Sequence, residues 1–314
     1  MNALLLALAL GQLPETRPVV VAPAETLTVE VWGDSTARAV VLIADFLGSA
    51  YTFRHVAPLV AERGYRVVVI EPLAIGTSSR PKRADYSLSA QALRVAAVLD
   101  SCGVRLAIVA GQGTNAAVAV RLAASRPDQV ARLVLLEGGG SERAAGPGFR
   151  RAMQNSAGLQ FFPGLVRAAI RKGLISASGD ASWVTNEVVH EYTRGAASDL
   201  SATVDAFRAV AKAKEPSAIA DQVRKVTVPV HLLLGGAKHA AGPPAEEIRM
   251  LSVGLPGMTI ETVTGAGHHL AEERPDRVVE ALTGVPGPNA PAASTISSIQ
   301  VRNVIEPSPR EVPQ

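Results

Sequence analysis

LAIVAGQGTNAAVAVRLAASR, residues 106–126, reads as a strand, a turn and a helix in immediate succession. Leu106 to Ala110 is a short apolar run of strand length. Gly111-Gln112-Gly113-Thr114 is turn-forming, and Asn115 to Arg126 carries Ala, Val and Leu at helical spacing. Arg126-Pro127-Asp128 then stops the helix, because the residue before a proline is driven out of the α region. A strand passing through a sharp turn into a helix is half of a crossover unit, from which parallel sheets are built. Gly113, in the middle of the turn, reads as a residue that adopts positive φ without a Cβ clash.

The same rhythm extends in both directions. Short β-branched runs bounded by Gly, Pro or polar residues predict strands at 27–32, 39–44, 66–70, 106–110, 133–137, 230–234 and 259–262. Helical spacing predicts helices at 88–102, 115–126 and 276–282, with Pro275 where a first helical turn accepts it. The expected fold class is α/β, a mostly parallel sheet flanked by helices. Residues 141–215 break the alternation: they read as helices, clearest at 183–193 and 198–214, with no strand. The natural reading is an α/β core at 25–140 and 216–284 with a helical cap inserted at 141–215. Open α/β sheets bind ligands outside their carboxyl edge, so the site is expected between cap and core.

Composition narrows the function classes. With 47% hydrophobic residues, the 314-residue chain can bury a core domain and a smaller insertion. Charged residues make up 19% and the net charge is +3, with no dense Lys/Arg run, so nucleic acid is not an expected partner. Cys102 is the only cysteine, which excludes an intrachain disulfide and a multi-cysteine metal site. Residues 1–24 form an N-terminal apolar segment. Its run at 3–10 is too short to span a bilayer, but suits a signal-peptide core before Ala9-Leu10-Gly11, although no Lys or Arg precedes it. Cytoplasmic and exported locations both stay open. Residues 285–314, rich in Pro, Ser and Ala, read as a disordered tail.

Five landmarks carry a resemblance. They are Phe46-Leu47-Gly48-Ser49-Ala50 after one strand, Ala74 to Pro81 after the next, the turn at 110–115, Arg126-Pro127-Asp128-Gln129-Val130, and Gly265-Ala266-Gly267-His268-His269 followed by Glu273-Arg274-Pro275. In this order, across residues 25–285, the chain resembles the capped α/β-hydrolase family. The resemblance implies a nucleophile on the turn after the 106–110 strand, where the family has G-x-S-x-G. Here that position is Gly113, with no side chain to acylate, and Thr114 beside it is aimed differently by the sharp turn. It implies the catalytic histidine at His268. It implies an oxyanion loop where the family has His-Gly and this chain has Ala44-Asp45 before Phe46. Asp45 either faces the pocket, opposing a developing oxyanion, or turns to solvent or caps its loop. The family's acidic residue after the 230–234 strand is replaced by His239. Glu137, at the end of the strand before the cap, is an alternative carboxylate for His268, or a group bonded to nearby backbone.

Two function classes follow from these departures. One is a non-catalytic pseudoenzyme whose capped pocket binds a small apolar molecule, or whose surface binds a protein partner. The other is an active hydrolase of an ester, lactone or similar substrate, with His268 and Glu137 activating water. No cofactor is expected. His239, His268, Asp45 and Glu137 show no local metal-ligand spacing, so no metal is expected either.

Overall fold

The computed structural model describes residues 13–284 apart from 47, 155, 157, 159, 160 and 256. The signal-peptide reading of 3–10 and the tail reading of 285–314 fall outside the described residues. Eight strands form one sheet: β1 (Glu15–Ala22), β2 (Glu25–Trp32), β3 (Ala39–Ile43), β4 (Arg66–Glu71), β5 (Ala107–Gln112), β6 (Val130–Leu136), β7 (Val230–Gly235) and β8 (Thr259–Val263). Their order across the sheet is β1-β2-β4-β3-β5-β6-β7-β8. β1 pairs antiparallel with β2, and β2 with β4; every other pair is parallel. β3, β4 and β5 are buried along their whole length. Continuous apolar runs such as Val40-Val41-Leu42-Ile43 fit a sheet covered on both faces, and two apolar cores lie on those faces.

β1 was not among the expected strands. Part of the segment set apart at 1–24 belongs to the sheet, as its outermost strand, with only Val19 buried in it. An edge strand tolerates Pro18, and its exposed side leaves no alternating pattern to read.

Helices α1 (Ala57–Glu62), α2 (Leu88–Ser101) and α3 (Ala116–Ser125) cover the sheet between the central strands. The Ser87 hydroxyl caps α2 by accepting from the Ala90 N–H, satisfying one of the helix's orphan donors. Between β6 and β7 lie α4 (Pro147–Gln154), α5 (Pro163–Ala177), α6 (Asn186–Ser198) and α7 (Leu200–Lys212), with no strand among the described residues of 141–215. The last two begin later than the helical spacing suggests, at 186 and 200 instead of 183 and 198. Thr185 and Asp199 act as caps, accepting from the N–H groups of Val188 and Ala202. α8 (Ile219–Val223), α9 (Ala245–Gly254), α10 (Leu270–Glu273) and α11 (Pro275–Thr283) complete the chain.

Glu71, buried at the carboxyl end of β4, braces two loops over the sheet edge. Its carboxylate accepts from the Ala50 N–H at 2.9 Å and from the Thr77 N–H at 2.6 Å. The loop carrying Asp45 and Phe46 is thereby tied to the loop after β4.

Candidate functional site

The turn after β5 has the conformation that the sequence suggested. Gly113 has φ +56° and lies between the end of β5 and the start of α3. Gly111 sits where a Cβ would fall 2.5 Å from the Asn115 carbonyl oxygen, so only glycine lets the strand and the turn approach so closely. A Cβ built on Gly113 would point at two groups: Asp45 Oδ1 at 2.8 Å and His268 Nε2 at 2.9 Å. A side chain at 113 would therefore emerge directly in front of His268.

Asp45 faces the pocket and also caps its own loop. Oδ1 accepts from the Phe46 N–H at 2.7 Å, and Oδ2 lies 3.3 Å from His268 Nε2. The Asn115 side-chain amide donates to the Ala44 carbonyl at 2.6 Å, fixing this loop against the turn after β5. On the other side of the imidazole, His268 Nδ1 is 3.6 Å from Glu137 Oε2. The three residues form a carboxylate–imidazole–carboxylate row.

Glu137 lies one residue beyond the end of β6 and has φ +57°, a left-handed conformation that costs a non-glycine residue on the order of 1 kcal/mol or more. Its Oε1 accepts from the Gly235 N–H, and Oε2 faces both His268 and His239, the latter at 3.4 Å. Both expected partners of Glu137, the histidine and nearby backbone, are thus present. His239 reaches Glu137, and its ring lies tilted beside that of His268 with centroids 6.4 Å apart. Thr114 lines the pocket, but no hydrogen bond joins its hydroxyl to His268 among the described residues.

Two adjacent histidines are driven in opposite directions. Burial by itself disfavours the charged form of His268, but the Asp45 and Glu137 carboxylates outweigh it and raise the pKa to about 9. His269 is pushed down to about 3, by burial first and then by the charge of His268. At neutral pH the first is an imidazolium and the second a neutral ring. His269 stands edge-on to His268 at 5.1 Å and to Trp183 at 5.1 Å, with the Gln112 amide 3.5 Å from its Nδ1. His269 and Trp183 had no expected role at the site; the paired His268-His269 was the available signal for the first.

Above this row lies a cavity of about 1040 Å³. Its floor includes Asp45, Gly113, Glu137 and His268, and its roof is built by α4 to α7, including Phe149, Leu165, Ile170 and Phe207. Phe46 packs against Phe149 and Phe207 with ring centroids 5.0 and 5.2 Å apart, joining loop and roof. The roof is tied down near α6: the Tyr192 hydroxyl donates to Glu272 Oε1 at 2.7 Å, and Arg54 pairs with the same oxygen. Among the described residues no group of three or more His, Cys, Asp or Glu is arranged to hold a metal ion.

A sheet of this order, a glycine turn of this shape and a histidine over it define an α/β-hydrolase scaffold, and the profile of the alpha/beta hydrolase family matches residues 40–281. The chain belongs to that family. It is 22% identical over 248 residues to the uncharacterized hydrolase YugF of Bacillus subtilis, covering 77% of this chain and 88% of that protein. It is 26% identical over 274 residues to the mouse (Mus musculus) sn-1-specific diacylglycerol lipase ABHD11, covering 80% and 81%. Among solved structures, the epoxide hydrolase CorEH superposes with a TM-score of 0.70 at 19% identity, covering 86% of this chain and 97% of that one. Cfl2 of Burkholderia cenocepacia superposes with a TM-score of 0.68 at 24% identity, covering 85% and 94%.

Proposed function

We propose that this protein is a non-catalytic member of the family that binds an elongated apolar molecule in the capped cavity. One observation carries the reading: the Asp45 carboxylate fills the space in front of Gly113 and takes up the Phe46 N–H. The family's acyl-transfer chemistry needs a nucleophile at 113 and free N–H donors for an oxyanion. Gly113 offers no nucleophile, and the donor is already engaged by a fixed anion. An oxyanion-hole donor is worth about 3–4 kcal/mol in enzymes that depend on it, and a resident carboxylate both removes that donor and repels the developing charge. The cavity favours a small molecule over a protein partner as occupant, and the lipase and epoxide-hydrolase relatives favour an apolar chain. The floor carries two carboxylates against one imidazolium, so a neutral polar end suits it better than an acid.

The test combines labelling with binding. The unaltered protein should take no label from a fluorophosphonate probe, and native mass spectrometry should show one bound monoacylglycerol or long-chain alcohol per chain, with the corresponding fatty acid bound more weakly. Rapid labelling, or the absence of any one-to-one complex with these probes, would sink the reading.

A second reading has its own support in the 3.6 Å approach of His268 to Glu137: a hydrolase of esters or lactones in which His268 takes a proton from water. With its pKa near 9, His268 is already protonated at neutral pH and becomes a base only in alkaline solution. Hydrolysis by this route should rise with pH up to about 9 and vanish in His268→Ala. Hydrolysis that is flat from pH 6 to 9 would exclude His268 as the base.

A further inference from the structure

The first half of the roof is unlike the rest of the molecule. Between Glu142 and Asp180 the chain contains no acidic residue, yet it carries Arg143, Arg150, Arg151, Arg167, Arg171 and Lys172. No ion pair joins any of the six to a carboxylate among the described residues, and the polar partner of Arg171 is the neutral Asn186 side chain. Several arginines elsewhere are paired with carboxylates, as Arg94 is with Glu25 and Arg126 with Asp100 and Asp128. Large apolar side chains stand exposed among these cations: Phe161 at 74%, Phe162 at 57%, Leu165 at 64% and Ile175 at 44%. α5 buries only Leu174 and Ala177, and α4 buries nothing.

We infer that this face of the cap, α4, α5 and the turn at Phe161 and Phe162, seats on an anionic lipid surface. An exposed cluster of phenylalanine and leucine is costly in water and gains by insertion at the boundary between headgroups and acyl chains. Unpaired arginines and lysine around it supply the attraction that a neutral surface would not reward, each strengthening binding to an anionic leaflet about fivefold. Arg143 and Arg150 line the cavity, whereas Arg167, Arg171 and Lys172 are interleaved along α5 with aliphatic side chains, a spacing that favours a membrane over a nucleic-acid strand. Leu165 belongs both to the exposed cluster and to the cavity lining. The docking face therefore adjoins the cavity at Leu165, although seating itself requires no bound ligand and so stands apart from the function proposed above.

Sedimentation with vesicles tests it, using the full chain and no added ligand. Vesicles of equimolar phosphatidylcholine and phosphatidylglycerol should retain the protein at least about tenfold better than phosphatidylcholine alone. Raising the ionic strength from about 0.1 M to about 1 M, which shortens the screening length from about 10 Å to about 3 Å, should release most of it. Arg167→Gln with Lys172→Gln should weaken retention about 25-fold, from two losses of about fivefold each. Phe161→Ser with Phe162→Ser should weaken it about tenfold or more. Equal retention on both vesicle types, no retention on either, or a single-stranded oligonucleotide bound as tightly as the anionic vesicles would overturn the proposal. Should a variant fail to keep its circular dichroism spectrum, the lipid and salt dependence of the unaltered protein decides the matter alone.

Discussion

The floor of the cavity and the first half of its roof are held by opposite means. Around the floor most polar groups are held by a specific partner: Asp45 between Phe46 and His268, Asn115 on Ala44, Glu137 Oε1 on Gly235, Glu71 on Ala50 and Thr77, while Glu137 Oε2 meets His268 and His239 only at ion-pair distance. The half-roof of α4 and α5 has unpaired cations and exposed apolar side chains. Between them α6 is fastened by Tyr192, Glu272 and Arg54. A buried, interlocked constellation resists change, since a substitution strands its partners, whereas an exposed helix face can be altered at little cost. The contrast separates the part of the molecule that fixes geometry from the part open to partners.

The contrast breaks first, and most widely, at Gly113. Gly113→Ser alone adds a Cβ at positive φ, for about 1–3 kcal/mol of strain, and drives it into Asp45 and His268. It should label slowly with fluorophosphonate. Adding Asp45→Gly and His239→Asp should raise the labelling rate by about a hundredfold, since these groups act as one unit and their repair is not additive. If the single variant labels as fast as the triple one, Asp45 is not what blocks the site.

Next in size is the response to pH. His268 has a folded pKa of about 9 against an ordinary 6.5, so its contribution to stability is whole below about 6.5 and is lost as pH rises through 9. At about 1.4 kcal/mol per unit this amounts to about 3 kcal/mol. His269, held near 3, acts in the other direction: its contribution is whole above about 6.5 and declines as the solution is acidified toward 3. Denaturant unfolding between pH 6 and 10 should show the alkaline loss, and Asp45→Asn should flatten it. An unchanged slope in that variant would separate Asp45 from the histidine.

The smallest effect sharpens the contrast from the side of the roof. Leu165→Ser, at an exposed position of α5, should shift unfolding free energy by less than about 0.5 kcal/mol, whereas Leu174→Ala, buried on the same helix, should cost about 2–4 kcal/mol. Comparable losses at both positions would mean that α5 is packed more tightly than its exposure indicates.

Much of the floor was legible in the amino-acid sequence. The central strands stand out because sheet strands covered on both faces are apolar runs, and the turn at Gly111 to Asn115 is punctuated by glycine. Asp45, Glu137 and His268 are singled out through the family resemblance, each lying in the loop after a strand. β1 was hidden by its edge position, with Arg17 and Pro18 interrupting its apolar run. Helix starts at 186 and 200 depended on capping by Thr185 and Asp199, which periodicity does not register. The tie from Tyr192 to Glu272 and Arg54 joins residues far apart in the chain, and nothing local announces it. The opposite pKa shifts of His268 and His269 likewise follow from surroundings that the adjacent letters do not reveal.

The crowding of Asp45 against residue 113 also orders history. From the present sequence, a serine arriving at position 113 meets an occupied space, while a smaller residue at position 45 merely vacates it; the reverse change from a serine-bearing ancestor would face the same constraint. Of the two routes between the forms, the one through a small residue at both positions is sterically open, and the one that joins Asp45 to a serine at position 113 is obstructed. Positions 45 and 113, at the ends of different strands, should therefore change in a fixed sequence wherever this scaffold passes from one form to the other.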